Sequence, residues 1–309
     1  MPQLTLLSIN PLNILLDKVM EWFKGIILDM AIGYYKIFFE GVKAMFDTSL
    51  ILDIGSTPFD YNTGVYNLIK ELSNNFVLPI AIVFMSFFLV YELVNTVLNE
   101  NKMSDNNAEL IIKWLFKYTI STLLISYAFE ILDLIFILGA NAAEGALNAL
   151  TGNDPSTVLN SIDIDLLAEN AKAQLMENSL GDVFIFWFIS LLVSLFAQLL
   201  QPLAWMIIVC RFVMIYIYMI TAPLNITTLP LKGEWGQIGS NYVRSMIAFA
   251  IQALLIVAIF AIFYGSLANV FVSSGDLQDM SLKLFFTVIM LFLALFKSES
   301  IAKSIMNAH

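Results

Sequence analysis

Long apolar runs separated by short polar breaks dominate the chain, and their lengths predict its elements. Residues 72–91 carry no charge. A helix needs about 20 apolar residues to cross a bilayer, so a first crossing is expected at about 76–98. Pro79 lies near its start and Glu92 in its second half. A second crossing is expected at about 114–138. Lys113 and Lys117 flank its start, where their long stems can reach the headgroups, and Glu130 and Asp133 lie in its far half. Residues 183–231 hold a single charge, Arg211. That run exceeds one crossing. It reads either as two spans hinged at Pro202 or as one long kinked helix running past the bilayer to Pro223. After a Gly-punctuated turn, a further span at about 243–266 begins at Arg244 and carries Gln252. A last, short apolar piece at about 282–296 ends in Lys297 and Lys303.

The N-terminal region has a different period. At 100° per residue, Asp17, Lys18, Glu21, Lys24, Asp29, Lys36, Glu40, Lys43 and Asp47 share an arc of roughly 160°. Trp22, Phe23, Ile26, Ile27, Met30, Ile37, Phe38 and Phe46 lie mostly opposite. Residues 12–47 thus read as an amphipathic helix, with Gly25 and Gly33 as candidate breaks. Charges at every turn prevent it from spanning; it can lie in the membrane interface or pack on a partner. No basic start, apolar stretch and cleavage site mark a signal peptide. Turn formers from Asp53 to Gly64 make 48–75 a loop.

The composition agrees. Of 309 residues, 59% are hydrophobic and 13% charged, and mean hydropathy is +0.82. A soluble globule has too little polar cover for such a chain, and disorder fails for the same reason. The predicted fold is an all-α integral membrane protein, a polytopic bundle of five or six transmembrane helices with an N-terminal amphipathic helix. Its regions are an extracytoplasmic or interfacial part (1–75), two spans (76–138), an acidic extracytoplasmic loop (139–182), the remaining spans with a Pro/Gly-broken turn at 222–240 (183–297) and a tail (298–309).

Charge narrows the topology and the chemistry. Basic residues near span ends face the cytoplasm. With one crossing at 183–224, Lys102, Lys113, Lys117, Lys232, Arg244, Lys297 and Lys303 fall inside, whereas only Lys70, Lys172 and Lys283 fall outside near the spans. Two crossings reverse that bias, so the charge count favours five spans in a cytoplasmic membrane, N-terminus outside and C-terminus inside. The net charge of −10 opposes a duplex-DNA reader, though not a channel for nucleic acid. The one histidine is the last residue, His309, and the one cysteine is Cys210. His-based charge relay and zinc or haem ligation are thereby disfavoured, and no phosphate-binding Gly-Lys loop occurs. No cofactor or metal is expected.

Each ionisable group at bilayer depth costs about 2.5–3.5 kcal/mol on insertion scales. Arg211, Glu130, Asp133, Glu92 and Gln252 are therefore the candidate intramembrane polar residues, lining a path or pairing across helices, with Arg211 a partner for Glu130 or Asp133. The structural alternative is that the carboxylates reach headgroups. Broken backbone at Ala222-Pro223 and Pro230 is tolerated at depth only where protein buries it or a cavity adjoins it.

Two stretches together carry a resemblance. The first runs from Arg211 through Tyr216 and Tyr218 to Thr221-Ala222-Pro223. The second is Glu234-Trp235-Gly236-Gln237-Ile238-Gly239, followed by Tyr242, Arg244 and Gln252. This pattern resembles the polytopic inner-channel subunit of type IV secretion systems, the TrbL-like or sixth-VirB family, in its Gram-positive conjugative form. The resemblance implies a non-enzymatic, oligomeric membrane subunit that helps single-stranded DNA with its attached relaxase to cross. Implied partners are secretion ATPases, bitopic membrane subunits, a cell-wall hydrolase and membrane lipids. A secondary transporter, or a scaffold of the secretion complex without DNA contact, are the alternatives; the mirrored broken helices of many transporters are not found.

Overall fold

A computed structural model describes residues 11–45, 53–99, 107–151, 172–231, 233–273 and 277–308. Among them all regular structure is helical, as the apolar runs predict. The elements are α1 (Pro11–Met45), α2 (Pro58–Tyr61), α3 (Thr63–Leu72), a π-turn (Ser73–Val77), α4 (Leu78–Asn99), α5 (Asn107–Ser126), α6 (Ala128–Thr151), α7 (Leu180–Ile220), α8 (Ala222–Ile226), α9 (Glu234–Ser273) and α10 (Leu277–Ile305). Four helices are long and apolar enough to cross a membrane, or five if the bent pair α5–α6 is one span. The chain is therefore a multi-pass helical membrane protein.

The elements group into two compact units. One comprises Met1–Asp47, Asn153–Ala204 and Ala261–Leu293; the other comprises Thr48–Gly152, Trp205–Phe260 and Ala294–His309. In the first unit, α1 is a single helix, unbroken at Gly25 or Gly33. Its stripe Ile27, Leu28, Ala31, Tyr35, Phe38, Phe39 and Val42 is buried. Tyr35 stacks on Phe186 of α7 with ring centroids 5.6 Å apart, and its hydroxyl bonds Ser281 of α10. Toward the other end of α1, the Lys24 ammonium donates to the carbonyl of Asn178 at 2.6 Å. Lys172 pairs with Asp29 at 2.6 Å. The acidic loop's middle, including Asp154, Asp163, Asp165 and Glu169, lies outside the described residues, as do Phe46 and Asp47.

The helices settle or revise four expectations. The stretch 63–75 is helix rather than loop, because the Asn62 side chain caps α3 by accepting from the Val65 amide at 3.0 Å and the π-turn carries the helix on into α4. The second span is not straight; α5 and α6 meet at 63° around Tyr127. Thr119, Ser121 and Thr122 in the turns before it each bond the carbonyl four residues back, a pattern that bends helices, and α8 packs against both arms. The run 183–231 is one helix ending at Ile220, followed by α8; it does not fold back at Pro202, so the two-span reading of this run fails. At 41 residues and 1.5 Å each, α7 is about 60 Å long, twice a bilayer's hydrocarbon core. The last piece is also longer than predicted, since α10 continues through most of the expected tail with Ser298 and Ala302 buried.

Small residues allow a close helix crossing in the second unit. A Cβ added at Gly139 of α6 would stand 2.8 Å from both the Cβ and the carbonyl oxygen of Ala250 on α9, whereas one at Gly145 would meet nothing within 4 Å. Gly139→Ala should lower the detergent-solubilised protein's unfolding free energy by about 1–3 kcal/mol. Gly145→Ala should be neutral or raise it by up to about 1 kcal/mol. Thermal unfolding followed by circular dichroism checks both; equal effects would contradict the contact.

Candidate functional site

Arg211 is the most buried charged residue among the described residues of the second unit, 4% exposed on α7. Among the described residues it has no carboxylate partner. Its Nε donates to the Phe249 carbonyl of α9 at 3.2 Å and its Nη1 to the Ile54 carbonyl at 3.1 Å. Hydrogen bonds from a charged donor contribute about 1.5–3 kcal/mol each, so two of them offset the roughly 2.5–3.5 kcal/mol insertion cost. The guanidinium thus ties the segment before α3 to the spanning helices.

Neighbouring contacts reinforce that tie. The Tyr216 hydroxyl donates to the Pro58 carbonyl at 2.8 Å. Tyr61 stacks on Phe212, centroids 3.8 Å apart and planes 7° from parallel. Local capping shapes the segment for this: Thr57 accepts from the Asp60 amide at 3.1 Å, and Pro58 fits the first helical turn. Burial raises the Asp53 carboxyl above its usual range. Burial, then the charge of Asp53, raises the Tyr61 phenol.

The other predicted ionisable residues form separate pairs. Glu92 on α4 binds Lys117 on α5. Asp133 accepts from the Tyr66 hydroxyl, and Glu130 lies 3.5 Å from Lys70; both contacts join α3 to α6. The expected pairing of Arg211 with Glu130 or Asp133 does not form, because Lys70 and Tyr66 take those carboxylates and main-chain carbonyls take the guanidinium. Gln252 is buried and its Nε2 donates to Ser298 of α10 at 3.2 Å, while its Oε1 has no partner among the described residues.

The broken backbone follows α7. Ala222 and Pro223 are buried, and α8 packs against α4, α5 and α6. The Thr227 and Thr228 hydroxyls give second donors to the Pro223 and Asn225 carbonyls, at 2.6 and 2.8 Å, beside the main-chain amides of the same residues. Gly233 takes φ +72° just before α9, and Cβ atoms at Gly236 and Gly239 would lie 2.2 Å from the Leu231 oxygen and 2.7 Å from the Leu229 nitrogen. Only glycine lets the turn lie against this helix. Trp235 packs on Phe88 of α4, centroids 4.7 Å apart, and the Tyr242 hydroxyl donates to the Tyr218 carbonyl at 2.9 Å. Glu234, Arg244 and Pro202 are exposed. Beside the break opens a cavity of about 290 Å³ lined by Tyr218, Thr221, Asn225, Asn241, Tyr242 and Ser245 among others.

The family model described as TrbL/VirB6 plasmid conjugal transfer like protein matches residues 48–223, more than half of the chain. The chain belongs to the TrbL/VirB6-like conjugal transfer family. It is thus a membrane component of a conjugal transfer system. No curated protein and no solved structure matches it. The family match runs from the segment that Arg211 holds to the Ala-Pro break itself. The Glu-Trp-Gly turn that carries the sequence resemblance lies beyond it.

In this family member, sequence reasoning missed Ile54, Pro58 and Tyr61, because turn formers marked them as loop. Lys117 as the partner of Glu92 was visible only through hairpin geometry. Tyr66 and Lys70, four apart, meet Glu130 and Asp133, three apart, and that match becomes visible once 63–72 is known to be helical.

Arg211→Ala should destabilise the protein in detergent by about 1–3 kcal/mol and reduce conjugative transfer, while Arg244→Ala, at an exposed site, should stay within about 0.5 kcal/mol. Thermal unfolding and mating efficiency read the two variants side by side; equal or reversed effects would contradict the role given to Arg211.

Proposed function

We propose that this protein is a non-enzymatic channel subunit in the cytoplasmic membrane, several copies of which surround a path for single-stranded DNA and its attached relaxase. The observation that carries the proposal is the conjugal-transfer family match over residues 48–223. The broken, internally satisfied backbone at 221–231 is compatible with it, since such backbone at membrane depth is either buried in protein or lines a cavity. The N-terminus lies outside and the C-terminus inside, on the strength of the basic residues near the span ends. Separate ATPases supply the energy, and bitopic subunits and a cell-wall hydrolase complete the machine. An acidic outer segment, net −6 over 144–182, holds phosphates weakly, which suits a conduit that must release its cargo.

Formaldehyde crosslinking during mating, followed by immunoprecipitation of this subunit and amplification of the transferred strand, tests the proposal. Recovery of that strand, dependent on the relaxase and the ATPases, is expected. Transfer that needs the subunit while no strand is ever recovered with it would make it a scaffold instead.

A further inference from the structure

We infer that α1 is seated in the bilayer surface, with one apolar stripe in lipid and its charged side turned to water. This requires only a multi-pass chain, whatever the cargo. The helix has two apolar faces. The stripe from Ile27 to Val42 is buried against its own unit. A second stripe, made of Leu15, Val19, Trp22, Phe23, Ile26 and Met30, covers an arc of roughly 100° at 100° per residue. All of these side chains are exposed, from 38% at Ile26 to 66% at Trp22. Asp17, Lys18, Glu21 and Lys24 lie on the opposite side.

The chain covers the wrong side for a helix in water. Over residues 24–29 it is the charged side that is packed. Lys24 donates to the carbonyls of Met176 at 3.3 Å and Asn178 at 2.6 Å, Lys172 pairs with Asp29, and a Cβ at Gly25 would meet the Met176 Cε at 3.7 Å. The end of the acidic segment thus lies along the charged side, and Phe23, Ile26 and Met30 on the other side are left open. A helix at the headgroup boundary presents these two faces. Three features fit lipid as the occupant of the open one. Trp22 stands at its edge, and such rings sit at headgroup level. Four acids and four bases balance within α1, so no anionic partner is called for. Beside it α7 exposes Phe184, Ile185 and Phe188 as well, so the uncovered apolar surface extends beyond α1. The charges also limit depth. They recur along the helix to Lys43, and each is costly inside the hydrocarbon core, so α1 stays at its boundary. It runs beside the first half of α7, with Lys24 at Asn178, Tyr35 on Phe186 and Gly41 against the Ala197 backbone. At 41 residues α7 is about twice as long as the core is thick, and its first half therefore need not lie inside the core.

The test uses the full chain with Cys210→Ala, reconstituted in phosphatidylcholine vesicles and carrying one environment-sensitive fluorophore at a time. Val19→Cys, Phe23→Cys and Met30→Cys place it on the open stripe, and Lys18→Cys and Glu21→Cys on the charged side. All five sites are exposed, where substitutions are well tolerated. At the three apolar sites, lipid spin-labelled near the top of its acyl chain should quench at least about twofold more than lipid labelled near the chain end. Anionic lipid or added salt should change that quenching by less than about a fifth. At residues 18 and 21, aqueous iodide should quench at least about twofold more than either lipid. Iodide reaching the apolar sites as well would mean a helix in water and overturn the proposal. Lipid quenching that deepens steadily from Val19 to Met30 would mean an upright helix and overturn it too. So would apolar sites that neither quencher reaches; self-quenching relieved by dilution with unlabelled chain would then make a second copy the occupant.

Discussion

A guanidinium buried among apolar helices must find acceptors, and that need organises the second unit. Arg211 meets it with two main-chain carbonyls, one on α9 and one in the segment before α3. The choice has consequences. A carboxylate partner would have neutralised the charge and left the 53–61 segment free. Carbonyl partners instead draw that segment into the helical packing, where the stacking of Tyr61 on Phe212 and the Tyr216 bond to Pro58 hold it. With Arg211 satisfied by backbone, the acids remain free to bind Lys70, Tyr66 and Lys117, and α3 to α6 are joined through them.

The break after α7 follows the same logic of satisfying polar groups at depth. The side chains of Thr227, Thr228 and Asn225 add donors to the Pro223, Asn225 and Thr221 carbonyls of the short helix and its start. Gly236 and Gly239 allow the resulting turn to lie on α9 with no side chain between. The polar cavity beside the break is a by-product of that geometry.

Much of this was legible in the sequence. The charge-free runs announced the apolar helices, and the isolation of Arg211 in its run announced a charge that has to be satisfied within the protein. The charge count favoured a single passage through 183–224, and α7 is one helix. What escaped prediction depended on tertiary partners. Asp53, Gly55 and Pro58 signal a loop whether it is solvated or buried, and only Arg211 decides which. Asn62 was read as a turn residue when it caps α3. The bend at Tyr127 has no proline or glycine to announce it; it arises from three hydroxyl back-bonds and the wedge of α8.

The hold of Arg211 on the 53–61 segment is open to direct measurement. A benzophenone amino acid can replace Tyr61 in the full chain, reconstituted in lipid, and its crosslinks can be mapped by peptide mass spectrometry. Attachment to α7 around Phe212, abolished when Arg211 is also changed to alanine, is the predicted result. Attachment to lipid alone, or to α7 irrespective of residue 211, would contradict it.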